Sequence, residues 1–176
     1  MSELDLLETE RLVLSGWRMD QVDDLVRLHG TEAIARYLSV DGKPWTREQA
    51  ETALAGWIAL FESRKLGKLR LTRKSDGAFI GRAGYGIYPP TGEPELGYAL
   101  FGEHHGQGYA SEAARALRDW IFRDTDATHF IGFADTRNAP SLAILRKIGM
   151  VPTRVEREPG GLLCQFHIYE RPAGHD

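Results

Sequence analysis

The sequence predicts a mixed α/β fold: one sheet, helices packed on it, and a single connection that must cross over to a parallel strand. Three observations point there. Apolar residues recur at helical spacing in two long stretches, residues 46–67 and 107–123. Between residues 69 and 101 the period switches to two, and the turns SDG and PPTGEP are short enough to pair those strands antiparallel. A strand, a helix and another strand then follow in order around Gly108, and only this unit requires a parallel crossover.

The elements follow along the chain. Residues 11–17, RLVLSGW, read as a first strand. Residues 20–29 carry Val22, Leu25, Val26 and Leu28 behind an acidic start and read as a helix ended by Gly30, with a short second helix at 32–38. In TREQAETALAGWIALFESRKLG, Thr46 is an N-cap and Gln49 completes a capping box. Ala50, Leu54, Trp57, Ile58 and Phe61 form the inner face of that helix, and Gly67 is its expected stop. Strands are expected at 69–73, 78–88 and 95–101, then a helix at 107–123 with Ala110, Ala113, Ala114, Leu117 and Ile121 facing inward. A strand at 129–134, a helix at 141–148 closed by Gly149, and a hairpin of 150–156 with 163–170 complete the chain. No repeat or linker interrupts it, so one domain is expected over residues 7–172.

Composition narrows the function. The chain has 176 residues, 42% of them apolar and 27% charged, which suits one water-soluble domain. A net charge of −3 provides no general attraction to nucleic acid or to an anionic membrane, so any anionic ligand must be held locally. Cys164 is the single cysteine, which excludes an internal disulfide and cysteine-rich zinc sites. The six histidines, His29, His104, His105, His129, His167 and His175, lack zinc-ligand spacing, and no metal is expected. There is no apolar run of membrane-spanning length, and MSELDLLETERL has acids where a signal peptide has basic residues, so the expected location is the cytoplasm.

The stretch HHGQGYASEAARALRDWIF sets the main question. Gly106 and Gly108 flank Gln107 where a helix starts, and no Ser, Thr or Asp covers its first N–H groups. Free N–H groups and the positive end of a helix dipole favour phosphate, and glycines let it approach the backbone. Gln107, Tyr109 and Ala110 add further N–H groups. A Walker A loop is excluded because no Gly-Lys-Ser/Thr occurs. A dinucleotide fingerprint is disfavoured because Ser111 stands where the third glycine belongs. The alternative is a tight strand-to-helix turn with no ligand. After the next strand, DTRNAPSLAILRKIGM opens another helix with Asn138, Pro140 and Ser141, and a crossover places that start beside the glycine loop. Asn138 also suits a plain helix start.

These two motifs, ELGYALFGEHHGQGYASEA and NAPSLAILRKIGM, with the opening LETERLVLSGW, resemble the GNAT superfamily of N-acetyltransferases. The resemblance spans nearly the whole chain and is strongest to the branch containing the ribosomal-protein N-terminal alanine and serine acetyltransferases. It implies a central twisted, mostly antiparallel sheet with one parallel, splayed strand pair. It implies acetyl-CoA as donor, with the pyrophosphate on the loop of His105, Gly106, Gln107, Gly108, Tyr109 and Ala110. It further implies pantetheine lying against the main chain at Leu100 and Phe101, touched by Asn138, with Ser141 near the thiol. The chain departs from the superfamily in having Glu103 where Arg or Gln is usual, His105 where the branch often has Trp, and no tyrosine near the second motif's helix to act as acid.

Transfer to an amine requires a neutral nucleophile, yet a lysine ammonium has a pKa of ~10.4 and an α-amino group one of ~8. A carboxylate on a central strand can take the proton, and Glu95 is the candidate, with Glu93 and Glu158 as weaker rivals. The alternative for Glu95 is a pairing with a basic neighbour or a solvated strand edge. Ser141 can hydrogen-bond the leaving sulfur or simply sit in the first turn of its helix. Cys164 reads as a small core residue, so no acyl-enzyme is expected. Arg146 and Lys147 can reach phosphate or merely suit a helix C-terminus. The rival functions are a non-catalytic acyl-CoA-binding sensor and another nucleotide-binding domain. The acceptor is a protein N-terminal amine or a small-molecule amine, and the chain a monomer or homodimer.

Overall fold

A computed structural model describes residues 2–174. Among these residues eight strands form one sheet: β1 (Asp5–Glu8), β2 (Leu12–Ser15), β3 (Gly67–Arg73), β4 (Phe79–Ile87), β5 (Pro94–Leu100), β6 (His129–Asp135), β7 (Val151–Arg157) and β8 (Leu163–Glu170). They lie in the order β1-β2-β3-β4-β5-β6-β8-β7. The helices are α1 (Val22–His29), α2 (Glu32–Leu38), α3 (Arg47–Arg64), α4 (Tyr109–Asp124) and α5 (Ala139–Lys147). None of them is long and apolar enough to cross a membrane.

Every neighbouring pair is antiparallel except β5 with β6, the two strands joined by α4. That parallel ladder holds only at Glu95↔Ile131 and Leu96↔Gly132. Beyond it β5 continues to Leu100 and β6 to Asp135 without pairing to each other, while each keeps its ladder with its other neighbour, β4 or β8. The strands therefore splay towards their C-terminal ends, where both following helices begin.

Alternation along β5 separates two cores. Leu96 and Leu100 join Leu69, Leu71, Ile80 and Tyr85 under Ala113, Leu117 and Ile121 of α4. Ala99 turns to the other face and packs with Trp17, Leu25, Leu28, Leu54 and Phe79, beneath α1 and α3. Each fully buried leucine contributes about 1.5–3 kcal/mol, which is what fixes the register on both faces.

Two expectations need correction. The first strand is Leu12–Ser15, and β1 precedes it as a separate partner, with Asp5 opposite Ser15. DLLE is too short and acidic to show a period by itself. Gly67 does not stop α3. The helix ends at Arg64, Lys65 takes the left-handed conformation at φ 58°, and Gly67 opens β3. Glycine is needed there because φ is 113° and a β-carbon would lie 2.8 Å from the Trp57 carbonyl. The Thr46 capping box forms as expected: Thr46 Oγ1 accepts from the Gln49 N–H and Gln49 Oε1 from the Thr46 N–H.

Candidate active site

The glycine loop leads from β5 into α4. Gly106 and Gly108 have φ of 73° and 82°, and Gly108 is the N-cap with no side-chain cap. The first helical bond runs from the Glu112 N–H to the Gly108 carbonyl, so the N–H groups of Tyr109, Ala110 and Ser111 precede it. Arg11 reaches this loop from the start of β2. Its Nη1 donates to the Gln107 carbonyl at 2.9 Å, its Nε lies 3.3 Å from Glu112 Oε1, and its guanidinium covers the Tyr109 ring at 4.2 Å. Sequence reasoning missed Arg11, and no local signal links it to a loop so far along the chain. The Glu103 side chain is 76% exposed, with Oε1 3.7 Å from His104 Nε2.

Opposite stands the start of α5. Asn138 is its N-cap, Oδ1 accepting from the Ser141 N–H at 3.3 Å. Tyr98 reaches across from β5: its hydroxyl donates to the Ser141 carbonyl at 2.7 Å and accepts from Ser141 Oγ at 3.3 Å. Burial pushes the Tyr98 phenol well above the usual range. The second motif's helix lacks a tyrosine, and β5 brings one to its side. Between the two helix starts lies a cleft of about 710 Å³, which also has Tyr37 of α2 and Lys147 of α5 in its wall. Arg146 is not part of that wall.

The end of β5 divides its main-chain groups. The Phe101 N–H donates to the Ile80 carbonyl at 3.1 Å, so it faces β4 and not the splay. By alternation Leu100 faces the gap. His105 Nε2 donates to the Leu100 carbonyl at 2.9 Å, so the imidazole closes the corner between strand and loop.

Glu95 lies on the other sheet face, below α1 and α3, and does not line the 710 Å³ cleft. Its Oε2 accepts from Lys68 Nζ at 2.7 Å. Arg82, from β4, is buried on the same face, and its Nε donates to His29 Nε2 at 3.0 Å. His29 stacks on Trp45 with ring centroids 3.7 Å apart. Burial, then the neighbouring guanidinium, pushes the His29 pKa down to about 2, so the ring is neutral and accepts. Burial likewise lowers Arg82 to about 10.

The rival carboxylates have other partners. Glu93 accepts from His129 Nε2 at 2.7 Å beside a separate cavity of about 680 Å³ near the C-terminus of α4. Glu158 accepts from the Gly160 and Leu162 N–H groups, each at 2.9 Å, and shapes the turn between β7 and β8. Cys164 is buried, and burial pushes its thiol up to about 12. No group of three or more His, Cys, Asp or Glu among the described residues could hold a metal; His175 lies outside them.

Residues 11–151 match the acetyltransferase (GNAT) domain family. The chain is 26% identical over 147 residues to an uncharacterized N-acetyltransferase, p20, of Bacillus licheniformis, covering 82% of each chain. It superposes on the acetyltransferase from Agrobacterium tumefaciens str. C58 with a TM-score of 0.80 at 25% identity, over 94% of each chain. RimL, the ribosomal L7/L12 α-N-protein acetyltransferase solved with coenzyme A, shares the fold at a TM-score of 0.75 and 19% identity, over 94% of this chain and 97% of that one. An uncapped glycine loop facing a second helix start across a splayed parallel pair, together with a family match over most of the chain, makes this protein an acyltransferase and a member of the GNAT acetyltransferase family.

Proposed function

We propose that the chain transfers an acetyl group from acetyl-CoA to a primary amine, a protein N-terminal α-amine first among them, by direct attack and without an acyl-enzyme. The observation that carries the reading is the position of the uncapped α4 start, which faces the α5 start over the gap between β5 and β6. The site fits the donor on three counts: left-handed glycines without β-carbons, N–H groups ahead of the first helical bond, and a cleft of drug-sized volume, about 710 Å³. Acetyl-CoA supplies an activated thioester.

The N–H groups of the loop from Gly106 to Ala110 hold the pyrophosphate, the His105 N–H being spent on the Gly102 carbonyl, and Lys147 in the cleft wall adds a positive charge. With its oxygen used as a cap, Asn138 offers its amide N–H2 to the pantetheine, and Leu100 offers main chain at the edge of β5. Ser141, steadied by Tyr98, sits near the sulfur. Glu95, on the Ala99 side of β5, takes the proton of an amine that enters beneath α1 and α3. Cys164 stays a buried thiol, in keeping with a route lacking an acyl-enzyme.

Calorimetric titration with acetyl-CoA, ATP and NAD tests the donor: acetyl-CoA alone should bind, and binding of only ATP or NAD would overturn the assignment. A panel of N-terminal peptides, amino acids, polyamines and aminoglycosides, read as free CoA, then identifies the acceptor. Acetyl-CoA binding with no CoA released from any amine would leave a non-catalytic acyl-CoA-binding domain. Glu95→Gln should lower turnover on the order of 10²–10⁴-fold with donor affinity intact, and the loss should shrink as pH rises and the free amine fraction grows.

A further inference from the structure

Glu95 is held by a lysine that comes from two strands away. Lys68 is on β3 and Glu95 on β5, with β4 between them. Its Nζ makes three contacts, to Glu95 Oε2 at 2.7 Å, the Glu95 carbonyl at 3.2 Å and the Gly84 carbonyl at 3.3 Å. An ammonium has three donors, so this set of acceptors matches it. The side chain is buried, with Lys68 only 8% exposed.

A lysine can cross an intervening strand only if that strand leaves room. Here Lys68 is opposite Gly84, Gly84 is opposite Gly97, and Gly86 is opposite Glu95. A β-carbon on Gly97 would stand 2.6 Å from Nζ and 3.1 Å from Glu95 Oε1. One on Gly86 would lie 3.3 Å from Glu95 Oε2 and 3.6 Å from Lys68 Cε. Glycines in β4 and β5 thus open a seat for the pair in the middle of the sheet.

We propose that Lys68 is a positioning residue for acetyl transfer: it pins one oxygen of Glu95 and thereby turns the other towards the acceptor amine. This rests on the reading of Glu95 as the base. A strand glutamate without such a partner would spread over several rotamers and present its carboxylate in the required direction only part of the time. Two other charged groups of this face have partners of their own. Arg82 donates to neutral His29, and Arg70 of β3 pairs with Asp24 of α1. Tyr98 and Cys164 feel the Glu95 charge but are bound or buried elsewhere. Burial pushes the Lys68 ammonium down and the Glu95 charge opposes that push.

The rival is an ion pair that only supports the fold. The test measures kcat, both KM values and Tm for Lys68→Met, Gly97→Ala, Glu95→Gln and the Lys68→Met/Glu95→Gln double variant. Gly97→Ala keeps both charges but drives a methyl into the Nζ seat. Lys68→Met and Gly97→Ala should each lower kcat by about tenfold, with the KM for acetyl-CoA unchanged. The double variant should match Glu95→Gln within about twofold, because a positioning residue has nothing left to position. If Glu95→Gln leaves kcat intact, the base reading and this proposal both fail. If Glu95→Gln is crippled while the other two single variants lose only Tm, or if the double variant multiplies the losses, Lys68 is structural and the base reading stands. Should Lys68→Met fail to fold, the Gly97→Ala/Glu95→Gln pair supplies the same cycle.

Discussion

At Gly108 the backbone, not crowding, forbids a side chain. Its φ is 82°, and a β-carbon would meet only Arg11 Nη2, at 3.4 Å. An L-residue in this conformation costs about 1–2 kcal/mol, and a branched one also enters the space in front of the first N–H groups. Gly108→Val should therefore weaken acetyl-CoA binding by about tenfold or more while the domain still folds. Calorimetry on the folded variant decides the matter, and unchanged affinity would remove the phosphate from this loop. Arg11 matters at the same scale. Its bond to the Gln107 carbonyl fixes one side of the loop.

Helix starts are where local stability and ligand binding overlap. Asn138 caps α5 by accepting from the Ser141 N–H, and loss of such a cap costs about 1 kcal/mol. Asn138→Ala should lower Tm and raise the KM for acetyl-CoA more than that for the acceptor. Asn138→Asp separates the two roles, since a carboxylate caps as well but has no N–H2 to donate. Stability should return with Asp while the KM stays high. A KM restored along with stability would make Asn138 a cap only. At α4 the arrangement is reversed: Gly108 provides no side-chain cap, and the first turn is left open beside the cleft.

At the scale of the whole molecule, a polar seam joins the helical layer to the sheet. His29 of α1 is 2% exposed, lies on Trp45, and accepts from Arg82 of β4, whose guanidinium also lies 5.1 Å from the Trp57 ring of α3. The folded His29 pKa is pushed down to about 2, far below the ordinary value of 6.5. As pH falls through 6.5 the unfolded chain takes up a proton that the folded chain refuses, so stability is full above that point and declines below it. The loss should be about 1 kcal/mol between pH 6.5 and 5.5, steepening towards about 1.4 kcal/mol per unit at lower pH. Urea unfolding at pH 7.5, 6.5 and 5.5 measures it. His29→Gln should flatten this part of the profile, and an equal slope in wild type and variant would remove His29 as its source.

The sequence by itself determined the periods, the caps and the crossover. The Thr46 and Asn138 caps, the Gly106 and Gly108 loop, and the order of strand, helix and strand around it depend on groups a few residues apart. Their physics is local and can be read from spacing. The tertiary structure alone decided who meets whom across the sheet: Lys68 with Glu95, Arg82 with His29, Tyr98 with Ser141, and Arg11 with Gln107. Those partners are set by strand register and by which face each residue takes. A slip of one residue in β3 would turn Lys68 to the α4 side and leave Glu95 without its partner. The same register turns Glu95 to the Ala99 side of β5, away from Tyr98 and Ser141, a separation visible only once burial of the two cores has fixed the pairing of β4 with β5.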